Sequence, residues 1–242
     1  MTILRKVRML FLCSVLFFWG SIQNIKAQAV KSGTTSDFES WVYAEVRLKL
    51  YERWTFELME QVRLNKNSTQ IDKYFTRLSV GYELLKYMEF KVAFRFSEQN
   101  KRERGYKPYY RTNVDIAFKH KAEHFSFNYR LRYQFKNRLG ETDKKEENSL
   151  KHGLRFRAKA KYKSQKIPLE PSFAVEMFYQ YEKRSLSMTY KLQFTVALAY
   201  DLKKYGKIEL FHHLEQNLFS SSPKTVGIIG LGYIYTISKL KK

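Results

Sequence analysis

Residues 88–97 read Met-Glu-Phe-Lys-Val-Ala-Phe-Arg-Phe-Ser, so every even position holds a large apolar side chain and every odd position holds a charged or small one. This two-residue period indicates a β-strand with one apolar and one polar face, because successive side chains of a strand point to opposite sides. The same alternation recurs in residues 125–135 and 188–200. Each of these segments is therefore predicted to be a strand that separates two different environments.

The beginning of the chain has the features of a secretory signal peptide. Three basic residues precede an apolar run from residue 9 to residue 19, and small residues follow around Ala27. That order is typical of a cleaved leader, and the run is shorter than the roughly 20 apolar residues of a membrane-spanning helix. We therefore predict a signal peptide at 1–27 and a single domain at 28–242.

The composition argues against several classes of function. The chain has a formal net charge of +22, which is common in proteins that bind nucleic acid or anionic surfaces. A secreted chain seldom meets nucleic acid, and here the cations alternate with Phe and Tyr, so no nucleic-acid partner is expected. The only cysteine, Cys13, lies in the leader, and the mature chain has no zinc-spaced histidine pair, phosphate loop or nucleotide fingerprint. We expect no cofactor and no metal.

Alternating segments fill the rest of the chain. The predicted strands cover residues 38–50, 54–64, 72–82, 88–97, 109–119, 125–135, 150–162, 169–181, 188–200, 208–218 and 225–237. Such a series is typical of an all-β, antiparallel up-and-down transmembrane β-barrel of about 10–12 strands. Bacterial single-chain barrels have even strand numbers. Either a short strand lies near 28–38, or this segment threads the lumen, or one strand is assigned wrongly.

The connections and the aromatic residues suggest how the barrel sits in a membrane. Short connections alternate with longer ones, above all 98–107 and 140–148, and in bacterial barrels the short turns face the periplasm. Aromatic residues near strand ends are expected to form interfacial girdles, as at Trp54, Tyr82, Tyr162, Tyr181 and Tyr200. We predict a monomer in the outer membrane of a Gram-negative bacterium, in contact with lipid and lipopolysaccharide. The alternative is a secreted soluble β-sandwich or lipocalin-like barrel, which would bury its apolar face.

The polar faces of the strands predict a lumen in which positive charge exceeds negative charge. The candidate lumen-lining residues are Arg63, Arg77, Arg95, Arg111, Arg130, Arg132, Arg155 and Arg157, together with Glu57 and Glu176. They could form a narrow anion-favouring pore for a small anionic solute, because a ladder of Arg attracts anions and repels cations. They could equally interlock as ion pairs that keep a structural barrel closed.

A lipid hydrolase or acyltransferase of the outer membrane is the alternative from another class. It would need a nucleophile and a base at the outer lipid edge. His212 and His213 lie near Glu209 and Glu215, and three serines follow at 220–222. A His beside a Glu on a barrel strand is more often a hydrogen-bonded structural residue, so we predict a barrel without enzymatic activity and without catalytic residues.

Several short patterns stand in a characteristic layout along the predicted strands. They are Asp37-Phe38-Glu39-Ser40-Trp41, Glu60 with Arg63, Arg77 with Gly81-Tyr82, Tyr110-Arg111, Arg130-Leu131-Arg132, Arg155-Phe156-Arg157, Glu176 and Gly230-Leu231-Gly232-Tyr233. In this layout the chain resembles the DUF2490 family of secreted proteins, common in Bacteroidota and predicted to form outer-membrane barrels. The resemblance implies that fold and location, but no catalytic residue. One departure is the ending Leu240-Lys241-Lys242, where barrel proteins usually finish on an aromatic residue.

Overall fold

The chain folds into a closed ring of β-strands. A computed structural model describes residues 35–51, 53–100, 105–139, 151–163, 168–182, 187–218 and 224–238. Within these ranges the strands are β1 (Thr35–Leu50), β2 (Trp54–Asn65), β3 (Gln70–Leu85), β4 (Met88–Asn100), β5 (Tyr106–Ala122), β6 (Phe125–Arg138), β7 (Lys151–Tyr162), β8 (Leu169–Glu182), β9 (Ser187–Asp201), β10 (Lys207–Leu218) and β11 (Lys224–Ser238). The all-β barrel is confirmed, while the signal peptide predicted at 1–27 and the loop predicted at 140–148 lie outside the described residues.

Neighbouring strands pair in sequence order, and the ring closes between β1 and β11. Each consecutive pair from β1 to β11 is antiparallel. An odd number of strands with alternating directions leaves β1 and β11 running the same way, so the closing pair is parallel. Consistent with this, Asp37 at the start of β1 lies 3.8 Å from the Nζ atom of Lys224 at the start of β11. The eleven strands predicted from the sequence all occur, and the described ranges contain no twelfth strand.

The strands alternate in exposure as their sequences predict. In β4, Phe90, Val92, Phe94 and Phe96 are 39–48% exposed on the outside of the ring, whereas Ala93 between them is 3% exposed. The apolar faces therefore lie outside, and the charged faces lie inside. No helix in the described ranges is long and apolar enough to cross a membrane.

Two groups of connections define the two ends of the barrel. The short-turn end carries the connections 51–53, 86–87, 123–124, 163–168 and 202–206, and the opposite end is called the loop end. The difference in length between the ends is smaller than the sequence predicts. The connection between β2 and β3 at the loop end comprises only residues 66–69, and half of the loop predicted at 98–107, namely residues 98–100 and 106–107, belongs to strands β4 and β5.

Gly206 has a backbone conformation that other residues rarely adopt. It follows a 3-10 turn at Lys203–Tyr205 and has φ +96° and ψ −153°. A Cβ atom on Gly206 would lie 2.4 Å from the carbonyl oxygen of Ile234. The sharp return from β9 into β10 therefore requires glycine at this position.

Replacing Gly206 with alanine is expected to destabilise the barrel. The strained conformation alone costs about 1–3 kcal/mol, and the clash with Ile234 adds to it. Denaturant unfolding of the protein refolded in detergent measures the change in the free energy of unfolding. Gly105→Ala is the matched control, because Gly105 also has a positive φ of +65° but a Cβ there would meet nothing within 4 Å. Equal losses in the two variants would contradict the role of the clash.

Candidate functional site

A cavity of about 610 Å³ lies inside the barrel. Small-molecule sites have volumes of roughly 300–1,000 Å³, so the cavity could hold a small solute. The structure places all of the sequence-predicted lumen residues at its wall, namely Arg63, Arg77, Arg95, Arg111, Arg130, Arg132, Arg155, Arg157, Glu57 and Glu176. Their contacts divide the wall into parts with very different electrostatics.

Toward the short-turn end, the lumen cations are paired with carboxylates. Lys91 Nζ lies 2.8 Å from a Glu57 oxygen, and Lys119 Nζ lies 2.7 Å from Glu89. Arg77 reaches past β2 to Glu45 on β1 at 2.9 Å. We call these linked pairs the ion-pair network, and it comprises Glu45, Glu57, Glu89, Arg47, Arg77, Lys91 and Lys119. Positive and negative charges largely offset each other in this part of the lumen.

Two further carboxylates hold arginines near the middle of the barrel. Arg132 donates from Nε and from Nη2 to the two oxygens of Asp115, both at 2.7 Å. This bidentate pair is deeply buried, with side-chain exposures of 9% and 5%. Glu176 accepts from Arg130 at 2.7 Å and lies 3.8 Å from Arg155. These arginines are therefore fixed in place by their own counter-ions.

Cations face one another directly across strands nearer the loop end. Arg95 on β4 is opposite Arg77 on β3 and opposite Arg111 on β5, and Arg111 is opposite Lys136 on β6. Arg63 on β2 is likewise opposite Lys73 on β3. Like charges in directly opposed positions destabilise a sheet. This arrangement therefore needs a compensating interaction.

We call Arg63, Arg95 and Arg111 the cation cluster. Among the described residues, no carboxylate lies within the 4.0 Å limit of an ion pair with any of these three guanidinium groups. The Nε atom of each is buried and has no hydrogen-bond partner in the described part of the chain. The described chain therefore places no carboxylate in direct contact with the cluster.

Aromatic rings support two members of the cluster. The Cζ atom of Arg63 lies 3.5 Å from the ring centre of Trp41, and that of Arg95 lies 3.8 Å from the ring centre of Phe75. Phe75 is only 1% exposed. Cation–π contacts hold a guanidinium in position without neutralising it. Sequence reasoning did not connect Trp41 and Phe75 with the site, although both lie at inward positions of their strands.

Most of the chain matches the model of one protein family. The model of the family described as "Protein of unknown function (DUF2490)" matches residues 38–226, from the start of β1 to the first residues of β11. The chain belongs to the DUF2490 family. No curated protein matches this DUF2490 chain. The resemblance predicted from the sequence is confirmed, and the family description assigns no activity.

The wall of the DUF2490 barrel near β1, β10 and β11 is aromatic. Phe211 packs over Gly230, and Tyr43 packs over Gly232. These contacts are so close that a Cβ atom on either glycine would lie 2.0–2.1 Å from a ring atom. Phe211 also belongs to a buried cluster with Trp41, Ala197, Val226 and Ile228. The predicted glycines of β11 thus make room for rings inside the barrel.

The described residues among those considered for a lipid hydrolase contact other groups of this DUF2490 barrel. His213 lines the internal cavity, and its Nδ1 atom lies 2.8 Å from Thr195 Oγ1. Glu215 accepts from Lys191 at 2.6 Å, and Glu209 accepts from Tyr43 at 2.5 Å. Residues 220–222 lie outside the described ranges. Within those ranges, no three His, Cys, Asp or Glu side chains are placed to hold a metal ion.

Proposed function

We propose that this DUF2490 barrel spans the outer membrane of a Gram-negative bacterium after cleavage of a signal peptide. Its outer face supports this location, since side chains such as Leu78 at 56% exposed make this face largely apolar, which water would disfavour. Aromatic pairs lie next to the short turns, where Trp54 and Tyr82 have ring centres 4.7 Å apart. Such belts are typical of the membrane interface. The barrel acts as a monomer in contact with lipid and lipopolysaccharide.

Inside this barrel, the proposed activity is that of a narrow pore that favours anions. The observation that carries the proposal is the row of opposed cations on β3 to β6, of which Arg95 and Arg111 have no carboxylate at ion-pair distance in the described chain. Arginines in a narrow, low-dielectric lumen attract anions and repel cations. A small anionic solute is therefore the expected passenger.

Single-channel recording in planar bilayers tests the pore. Across a KCl gradient, we expect discrete conductance steps and a reversal potential that is shifted from zero toward the equilibrium potential of chloride. Recovery from the membrane fraction and heat-modifiable mobility on a cold denaturing gel first establish that the preparation is a folded membrane barrel. Absence of conductance from such a preparation would exclude the pore, and a cation-favouring reversal potential would exclude its proposed selectivity.

A closed structural barrel is the second candidate, and the ion-pair network favours it. Ion pairs with carboxylates of other strands hold Arg77, Lys91 and Lys119 in place. Interlocked charged side chains can fill a barrel of this size. Under this alternative, a folded barrel in the bilayer conducts no ions at any voltage, whereas a pore shows discrete steps of conductance. The same recording therefore separates the two candidates.

A further inference from the structure

The cation cluster has the geometry of a discrete binding site. Its three guanidinium groups come from β2, β4 and β5 and line one cavity. Each of the three is within electrostatic range of other cations of the lumen, including one another. Because opposed like charges cost stability in a sheet, an anion between them would remove a repulsion that no described residue removes.

Carboxylates near the cluster are occupied elsewhere. Asp72, Glu39 and Glu215 all act electrostatically on Arg63. Asp72 pairs with Lys73 at 3.0 Å, Glu39 accepts from Trp41 Nε1 at 2.9 Å, and Glu215 accepts from Lys191 at 2.6 Å. None of these carboxylates reaches ion-pair distance of Arg63, so within the described chain they offset the charge of the cluster only in part.

Phe75 and Trp41 pre-organise the cluster. Phe75 lies near two arginines, with the Cζ atom of Arg95 at 3.8 Å and that of Arg63 at 5.3 Å from its ring centre. Arg63 also packs on Trp41, at 3.5 Å from the ring centre. Planar groups stacked on buried rings lose little further freedom when they bind, which favours ligand binding.

The choice of ligand follows from the chemistry of the guanidinium group. Its planar fork of N–H donors matches the oxygens of a phosphate, sulfate or carboxylate group, whereas chloride offers a single centre of charge. Several cations that lack counter-ions also favour more than one negative charge. We infer that Arg63, Arg95 and Arg111 bind a small divalent oxyanion, with inorganic phosphate as the simplest representative. This inference rests on the proposed anion-favouring lumen and specifies where in the lumen the anion binds.

Thermal unfolding of the detergent-solubilised barrel tests the site without requiring conductance. Phosphate is titrated against chloride at equal ionic strength. We expect phosphate to raise the unfolding temperature in a saturable way, because a ligand that binds only the folded state stabilises it. Arg95→Gln is expected to abolish the phosphate-specific rise. Arg95→Lys keeps the charge but not the fork, so it should weaken phosphate binding several-fold.

Arg47→Gln is the matched control. It removes the same charge from the lumen, but Arg47 belongs to the ion-pair network and contacts Glu45 and Glu57. The phosphate effect should persist in this variant. If Arg47→Gln and Arg95→Gln lose the effect equally, or if phosphate does no more than chloride in the wild type, the discrete site is wrong. If Arg95→Gln fails to fold, Arg111→Gln provides the same test.

The two proposals fail in different ways. A barrel that conducts anions but shows no phosphate-specific stabilisation would overturn the oxyanion site and leave the pore intact. A barrel that is stabilised saturably by phosphate but never conducts would overturn the pore, and the lumen would then be a closed anion-binding cavity. In a conducting barrel, phosphate should also block chloride current, and Arg95→Gln should relieve this block.

Discussion

Asp115→Ala is expected to lower the free energy of unfolding by about 3–5 kcal/mol, because it leaves the buried guanidinium of Arg132 without its counter-ion. Both hydrogen bonds of this arginine to a carboxylate are 2.7 Å long, and both side chains are almost fully removed from solvent. Removing one partner of a buried pair costs far more than the pair contributes to stability. Urea unfolding of the barrel refolded into vesicles measures the loss.

The double replacement Asp115→Leu with Arg132→Met is the control for this prediction. It removes both charges and keeps much of the buried volume, so it should be far less destabilising than the single replacement. Exposed lysines such as Lys121 offer a second comparison, since their replacement should change stability by less than about 0.5 kcal/mol. A loss below about 1 kcal/mol for Asp115→Ala is the value expected of a solvent-exposed ion pair and would contradict the cost expected from burial.

Alternation predicts strands well but underestimates how far they extend. The pattern in residues 88–97 identifies most of β4, yet β4 continues to Asn100, where it pairs with Tyr106 of β5. The apolar-polar pattern reports only where one face of a strand is in an apolar environment. Backbone pairing continues beyond that zone with polar side chains on both faces, so half of the loop predicted at 98–107 belongs to the two strands, and the connection itself comprises residues 101–105.

Closure of the ring could not be derived from the alternation either. A strand's pattern describes the surroundings of its own side chains and says nothing about which strand lies next to it. The predicted number of eleven strands is therefore correct, but the sequence does not explain how a barrel with an odd number of strands closes. The structure resolves this with a parallel pair between β1 and β11, where Tyr43 of β1 packs over Gly232 of β11.

The lumen residues were predictable from the sequence, but their partners were not. Every inward arginine follows from the two-residue period, and all the predicted ones line the cavity. Which of them is neutralised depends on register across several strands. Arg77 finds Glu45 two strands away, whereas Arg95, directly opposite Arg77, packs on Phe75. A single chain pattern contains no information about contacts of this kind.

Reversing two charges of the cation cluster is expected to reverse the selectivity of the proposed pore. Arg95→Glu together with Arg111→Glu places carboxylates opposite Arg77 and Lys136, which makes two repulsive cross-strand pairs attractive, while the pair between positions 95 and 111 remains one of like charges as in the wild type. The barrel should therefore remain folded while its lumen loses the field that draws anions in. The reversal potential across a KCl gradient should change sign, because it moves from near the equilibrium potential of chloride toward that of potassium.

The control for this reversal changes the same charge outside the lumen. Lys86 and Lys121 are exposed at the short-turn end, so Lys86→Glu together with Lys121→Glu alters the net charge equally without changing the cavity wall. Because exposed charges are screened within about 10 Å at 0.1 M salt, this variant should keep the anion preference of the wild type. If both double variants shift the reversal potential alike, the selectivity arises from the overall charge of the protein. If the cluster variant keeps its anion preference, the arginines at 95 and 111 do not line the path of the ions.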